Sequence, residues 1–469
     1  VKRHILVVGA SAAGTAVVQH LRRLGYDGAL TLVGAEHHPP YDRPPLSKRF
    51  LAGELRPEQL WLTGAGDLDR LATVHRGRRA VAADLAARTV TLDDGTVLDH
   101  TDLVVATGVT PSALPGRPGA AVTLKTLDDA RAFAARLTAG RRLVIAGGGF
   151  LGTETAWTAL ALGCEVTLVA RAAHPLPALG GHVGALVGER LRAAGATVLT
   201  GRAVSAVHAR HTGPGEGPVT VELDDGTRLP ADTVLSAIGS APATDWLAGT
   251  GLDLTDGVRC DAGGAAAPGV HACGDVASWY LPRHGGRLRL EHRMHAGEQA
   301  RVVAANLLGD AQVLDSVPFF WTDQGPHKIV VHGVPAPGAR FAPHDPDPGR
   351  DRFTGVYRKD GRVTAVLAWN APKDALRLRR ELLAGRWHGR RPLRGVPVVS
   401  QNPPCHRTGH GHRRHRPERR RGVAHADTRR PDRPAAAPPA ARRLVRRVLG
   451  DHRDPPGGGR GHPPLRAPR

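Results

Sequence analysis

The sequence predicts an α/β chain: two Rossmann-like dinucleotide-binding domains, one interrupting the other, then a C-terminal α+β domain and a disordered basic tail. Three observations carry this. A strand–glycine turn–helix–strand plan occurs twice, about 138 residues apart; a late Gly-Asp turn returns the chain to the first domain; and apolar periodicity stops near Pro403.

The first unit has an apolar strand over 4–9, a glycine-rich turn, a helix over 15–24 ended by Gly25, and a strand over 29–33. In Gly9-x-Ser11-x-x-Gly14 the backbone turns tightly and can approach a pyrophosphate, where free N–H groups and the helix dipole favour negative charge. Ser11 replaces the middle glycine and is small enough to permit that approach. Glu36 lies 22 residues beyond Gly14, where a carboxylate can accept from ribose hydroxyls. Next, the prolines of Pro40-Tyr41-Asp42-Arg43-Pro44-Pro45-Leu46-Ser47-Lys48 set an extended path that can hold Arg43 and Lys48 over a bound cofactor. A hairpin pattern over 90–98 leads into a strand over 103–108.

The second unit repeats the plan with strands over 142–146 and 165–169 around a helix over 150–162. Its turn, Gly147-Gly148-Gly149-Phe150-Leu151-Gly152, is a full G-x-G-x-x-G. Near its second strand's end stand Ala170 and Arg171, with no carboxylate for an NAD 2′-hydroxyl. Arg171 reads either as a solvated charge or as a partner for the 2′-phosphate of NADPH, which slightly favours NADPH. Glu154, just past the motif, is a candidate partner for Lys48 on the nicotinamide side. A second hairpin over 219–227 and a strand over 233–239 follow.

At Cys273-Gly274-Asp275-Val276 an acid follows a glycine at an expected strand-to-helix turn, where a carboxylate can bond the ribityl chain of FAD. The distance from the first motif implies an FAD domain interrupted by the second nucleotide domain. The expected divisions are 1–112 and 236–314 for the FAD domain, 113–235 for the NAD(P) domain, 315–400 for the C-terminal domain with a charged helix over 372–384, and 401–469 for the tail.

Of 469 residues, 41 % are hydrophobic, enough for more than one core. No apolar run reaches the roughly 18 residues of a membrane span. The N-terminal stretch enters a strand directly rather than a signal-peptide pattern, so a cytoplasmic location is expected. The four cysteines form no C-x-x-C pair and no zinc spacing, which argues against a disulfide framework, a metal site and a dithiol relay. Of the net charge of +21, residues 401–469 carry +13 through 18 arginines, no lysine and five acids. With six lysines in the chain and a bias to Ala, Gly, Arg and Pro, that tail reads preferentially as a shifted frame or unrelated extension of GC-rich codons. The other reading is a genuine basic tail with a brief helix over 440–449; lacking aromatics for stacking, it would bind nucleic acid only electrostatically, without specificity.

Residues 40–48, 144–154, 269–277 and 317–324, with Ile238-Gly239, Pro242 and Asp256-Gly257-Val258, resemble the oxygenase-coupled NAD(P)H–ferredoxin reductases. These are putidaredoxin-reductase-like members of the FAD-dependent pyridine nucleotide-disulfide oxidoreductase superfamily, and the resemblance runs over about 2–395. It implies that Gly9, Ser11, Gly14, Glu36, Arg43, Lys48 and Asp275 contact FAD and that Trp321 packs near the isoalloxazine. Lys48 and Glu154 would form the catalytic ion pair beside the flavin; Gly147, Gly149 and Gly152 of the second glycine motif are the candidates for holding NAD(P)H, with Arg171 joining them on its 2′-phosphate reading. The implied reaction passes hydride to the flavin and then single electrons to a ferredoxin-type iron–sulfur protein serving an oxygenase. Arg283, Arg287, Arg289 and Arg293 are either ordinary surface arginines or a docking patch for an acidic ferredoxin. Rubredoxin, a quinone or oxygen are alternative acceptors, and a nucleic-acid-binding protein acting through the tail is the alternative from another class. The sequence departs from the family at Ala170, and at Arg293 and Met294, near which an aromatic is expected; the carrier and the oligomeric state stay open.

Overall fold

The computed structural model describes residues 2–64, 66–116, 120–209, 219–347 and 351–383. The expected tail over 401–469 and its short helix lie outside the described residues.

Strand His4–Val8 is buried along nearly its whole length and pairs in parallel with Ala29–Gly34 on one side and Asp102–Val105 on the other. A continuous apolar run suits such a strand, covered on both faces. The sheet runs Ala265–Ala267, Val270–Ala272, Asp102–Val105, His4–Val8, Ala29–Gly34, Thr73–Arg76. Two strands therefore come from a segment that rejoins the sheet late, with Val270 opposite Leu103 and Ala272 opposite Val105. Helices Ala12–Arg23 and Arg293–Leu307 pack on each other over this core.

The intervening chain builds a second parallel sheet, ordered Thr197–Thr200, Glu165–Ala170, Arg142–Ala146, Thr233–Ser236. Each parallel sheet has its own three-stranded antiparallel meander, Ala80–Asp84 to Val97–Asp99 in the first domain and Val204–Ala209 to Arg228–Ala231 in the second. The chain crosses between the domains on two short paired strands, Val109–Pro111 and Ser240–Pro242.

The C-terminal domain is a five-stranded antiparallel sheet, Phe319–Gln324, His327–Gly333, Arg362–Trp369, Arg352–Lys359, Arg340–Asp347. Helix Pro372–Leu383 follows and packs on this sheet; Ala371 and Ala375 meet Val330 and Ala368. Ile329, Val331, Leu367 and Trp369 join one continuous core with Leu143, Ile145 and Ala156 of the second nucleotide domain. That shared core brings strand Phe319–Gln324 against helix Phe150–Ala161.

One local expectation is corrected. No helix follows Asp275: Ala277–Leu281 is a strand, parallel to Val258–Cys260 and antiparallel to Gly286–Leu288, and the helix begins only at Arg293. Ala277, Trp279 and Leu281 are buried while Tyr280 is exposed, and Trp279 Nε1 donates to Ala272 O at 2.9 Å. Strand pairing of this two-residue pattern takes precedence over helix formation.

Candidate active site

The first glycine turn is sterically compulsory. Gly9 has φ +118°, and a Cβ there would lie 2.1 Å from Ala106 O; a Cβ on Gly14 would lie 1.9 Å from Gly9 O. Only bare backbone lets the helix start this close to the sheet. Ser11 is the N-cap of helix Ala12–Arg23 and makes no side-chain cap; its Oγ accepts from Arg43 Nε at 3.2 Å. The first turn carries no acid and the last carries His20, Arg22 and Arg23, which complement the helix dipole and leave the N-terminus suited to an anion.

Glu36 sits beyond the second strand and meets the proline-framed segment. Arg43 Nη2 donates to Glu36 Oε1 at 2.6 Å, and the Tyr41 hydroxyl donates to Glu36 Oε2. Tyr41 in turn accepts from Leu127 N at 2.8 Å, and burial pushes its phenol pKa well up. Arg43 Nη1 reaches Lys125 O at 2.5 Å. Lys125 was not singled out in the sequence. Its backbone is fixed by a reciprocal cap: Thr126 Oγ1 accepts from Asp129 N at 3.0 Å, and Asp129 Oδ2 accepts from Lys125 N at 3.0 Å and Thr126 N at 2.8 Å. The signal available was a capping box directly after an isolated lysine.

Glu36, Tyr41, Arg43 and Lys125 line two contiguous hollows of about 510 and about 290 Å³ that share Ser11, Tyr41, Arg43, Ala106, Thr107 and Lys125. The larger reaches from Glu36 to Arg76, Arg78 and Arg79; the smaller ends on Asp275, Glu154 and Leu151. Lys125 Nζ lies 3.8 Å from Asp275 Oδ2. Burial raises the pKa of Asp275, opposed by Lys125, and burial lowers that of Lys125, opposed by Asp275.

The second glycine turn repeats the first in detail. Gly147 has φ +116° with a virtual Cβ 2.1 Å from Ala237 O, and that of Gly152 would lie 2.0 Å from Gly147 O. The middle contacts are reciprocal: a Cβ on Gly34 would fall 2.6 Å from Ala10 Cβ, and one on Gly148 would fall 2.7 Å from Ala170 Cβ. Each unit thus has room for one methyl where turn meets strand. Gly149 is the extended N-cap of helix Phe150–Ala161. Arg171 is exposed just past strand Glu165–Ala170, and the position two beyond the strand, held by Glu36 in the first unit, is Ala172 here.

Lys48 and Glu154 are brought together. Lys48 Nζ donates to Glu154 Oε1 at 2.9 Å, with side chains only 17 % and 9 % exposed. Thr322 Oγ1 donates to the same oxygen at 2.7 Å, and Ser47 Oγ donates to Glu154 Oε2 at 2.8 Å. Three donors satisfy a carboxylate that would otherwise be costly to bury.

Trp321 is half-buried on the strand that also carries Thr322. Alternation along strand Phe319–Gln324 turns Thr322 toward Glu154, while Trp321 packs on the Val330–Ala368–Ala371–Ala375 cluster. Its neighbour Phe320 packs with its ring 5.1 Å from that of Phe150 and 4.6 Å from that of His292. The four arginines do not form a free patch. Arg283 is bound to Asp315, Arg289 to Asp256 and Glu291, Arg293 to Asp42, and Arg287 to Cys260 O. Among the described residues, no group of three or more His, Cys, Asp or Glu is placed to hold a metal ion, and no helix is long and apolar enough to cross a membrane.

Residues 3–300 match the family model for pyridine nucleotide-disulphide oxidoreductases, and residues 319–391 that for the reductase C-terminal domain. The chain is 37 % identical over 394 residues to the ferredoxin reductase component of chlorobenzene dioxygenase from Cupriavidus sp. (strain PS12), covering 79 % of this chain and 90 % of that protein. It is 35 % identical over 376 residues to the ferredoxin–NAD(+) reductase component of the biphenyl dioxygenase system of Paraburkholderia xenovorans (strain LB400), with coverage of 79 % and 90 %. Among solved structures, the covalent putidaredoxin reductase–putidaredoxin complex matches with TM-score 0.77 and 31 % identity, over 81 % of this chain and 93 % of that one. The chain belongs to the pyridine nucleotide-disulphide oxidoreductase family, in the branch of putidaredoxin-reductase-like ferredoxin reductases that carry the reductase C-terminal domain.

Proposed function

We propose that this protein is the NAD(P)H–ferredoxin reductase of an oxygenase system, passing electrons through FAD to a ferredoxin-type iron–sulfur protein. The observation that supports it best is the cleft, with Glu36 and a phosphate-ready helix start toward one end and the Lys48–Glu154 pair beside the second glycine helix at the other. The residues fit FAD. Backbone cradles at Gly9 and Gly14 admit a pyrophosphate, the Glu36 carboxylate suits ribose hydroxyls, and Asp275 suits the ribityl chain. FAD, when bound, supplies a ring that accepts hydride from the nicotinamide and releases electrons singly. The chain's own task is to orient and stabilise. Lys48 and Lys125 bring positive charge to the redox end, which favours developing negative charge, and Glu154 fixes Lys48 in place. No acid–base triad is required.

NADPH is the finer reading of the coenzyme. Ala170-Arg171-Ala172-Ala173 offers no carboxylate for a 2′-hydroxyl, and exposed Arg171 suits a 2′-phosphate. The mild +8 of residues 1–400 suits an acidic carrier, although the four arginines first considered are engaged. We place the enzyme in the cytoplasm, since Cys164, Cys260 and Cys273 are free buried thiols. We keep the divisions after 112, 314 and 400 and place the return to the first domain at the crossing strand Ser240–Pro242 rather than after 235, since Thr233–Ser236 still belongs to the second sheet.

Coenzyme oxidation measured with and without added ferredoxin tests the reading. A low rate that rises severalfold with the carrier is expected. An equal rate in its absence assigns oxygen as the acceptor; stimulation only by rubredoxin or a quinone assigns those.

A further inference from the structure

We infer that Thr322 and Gln324 of the C-terminal domain are positioning residues for hydride transfer: a one-way hydrogen-bond chain from them holds Glu154 in place independently of Lys48. The inference rests on the catalytic reading of Lys48 and Glu154 above. Gln324 Nε2 donates to Thr322 Oγ1 at 2.7 Å, and Thr322 Oγ1 donates to Glu154 Oε1 at 2.7 Å. A threonine hydroxyl has one proton, so giving it to a carboxylate leaves only acceptor capacity for its other neighbour. The Gln324 amide must then turn its NH₂ toward Thr322. Among the described residues its Oε1 is left buried without a hydrogen-bond partner, a cost that suits a group held for one orientation.

Thr322 is 1 % exposed and Gln324 is fully buried, so water does not compete with this chain. Such a chain polarises in one direction in low-dielectric surroundings, which strengthens the last bond to Glu154. Lys48 differs: besides Glu154 it has a second carboxylate, Asp323 Oδ2, at 3.7 Å, and that side chain is 36 % exposed. If the ammonium moves toward Asp323 or toward bound cofactor, Glu154 keeps Thr322 on one oxygen and Ser47 on the other. Consecutive residues of one strand thus supply a fixed donor to Glu154 and an alternative acceptor for Lys48. Pairing of Thr322 with Ile329 and Gln324 with His327 pins that strand, and Ile329 belongs to the core shared with the second nucleotide domain. Docking of the C-terminal domain completes the pair.

Thr322→Val removes the hydroxyl while keeping the shape, and Thr322→Ser keeps the hydroxyl. In the FAD-loaded full chain, Thr322→Val is expected to slow flavin reduction about tenfold at saturating coenzyme, with KM within about twofold, and Thr322→Ser to restore the rate. Gln324→Met, which removes the donor to Thr322, is expected to give a smaller loss in the same direction and serves if Thr322→Val does not fold. In cofactor-free protein, the infrared carboxylate stretch isolated by subtracting Glu154→Gln is expected to shift in Thr322→Val and return in Thr322→Ser. Normal reduction rates and an unmoved band in Thr322→Val, or in Gln324→Met if only that variant folds, overturn the inference. Normal reduction in Glu154→Gln and Lys48→Met overturns the catalytic reading beneath it; slow reduction in those two with unaffected Thr322→Val overturns the inference alone.

Discussion

Lys48 and Glu154, 106 residues apart in sequence, meet with Nζ and Oε1 at 2.9 Å. One follows the proline-framed segment of the first nucleotide domain, and the other lies in the first turn and a half of the second domain's glycine helix. The contact sets a lysine ammonium beside the helix of the second glycine turn. Lys48→Ala and Glu154→Ala are each expected to slow flavin reduction by about 100-fold, the scale seen on removing one preorganised electrostatic group. Stopped-flow bleaching of the flavin band on mixing with coenzyme checks this; near-normal rates in both variants refute the pairing's role.

The two glycine turns are expected to separate cofactor from coenzyme. Gly14→Ala would drive a methyl to 1.9 Å from Gly9 O and Gly152→Ala one to 2.0 Å from Gly147 O. Gly14→Ala should purify colourless or lose its flavin on gel filtration. Gly152→Ala should stay yellow but need a coenzyme concentration at least about tenfold higher for half-maximal reduction, the cost of roughly one lost hydrogen bond to a charged group. A Gly152→Ala protein without flavin would contradict the assignment of the two turns.

How much of this was legible follows from how local each signal is. The strand at His4–Val8 and both glycine turns rest on periodicity and on contacts within a few tens of residues, and they could be read directly. The strand after Asp275 could not, because Trp279 and Leu281 become inward residues only once Val258–Cys260 lies beside them. Lys125 has no motif of its own; its place in the cleft comes from a cap at Thr126 and from Arg43 across the chain. The order Trp321-Thr322 was visible, but which of the two faces Glu154 is decided by the packing of the C-terminal sheet on helix Phe150–Ala161.

Coenzyme choice should move with Arg171. Arg171→Ala is expected to raise KM for NADPH about tenfold, the value of one charge-assisted pair, and to leave KM for NADH nearly unchanged. Equal effects on both coenzymes, or a wild-type enzyme with strong preference for NADH, would contradict the NADPH reading.

Acid should destabilise the fold through buried histidines. Burial, aided by His295, lowers His292 to about 4, and burial, aided by Arg379, lowers His332 to about 4, from 6.5. Both are neutral in the folded protein at pH values where the unfolded chain binds protons. Their stabilising contribution is complete above about 6.5 and lost as pH falls toward about 4, at most about 3 kcal/mol each. The melting temperature should therefore drop over that window, and His332→Gln should flatten the drop. A melting temperature constant from about pH 7 to about pH 4.5 would contradict this linkage.

The central claim is that one cleft holds a two-electron ring against a nicotinamide and serves a one-electron carrier. Anaerobic titration of the FAD-loaded protein with NADPH or NADH, followed by oxidised ferredoxin, tests it in one cuvette. The account predicts that about one equivalent of coenzyme bleaches the yellow band and that ferredoxin restores it. A protein that stays colourless after incubation with FAD, or whose yellow band coenzyme does not bleach, would contradict it.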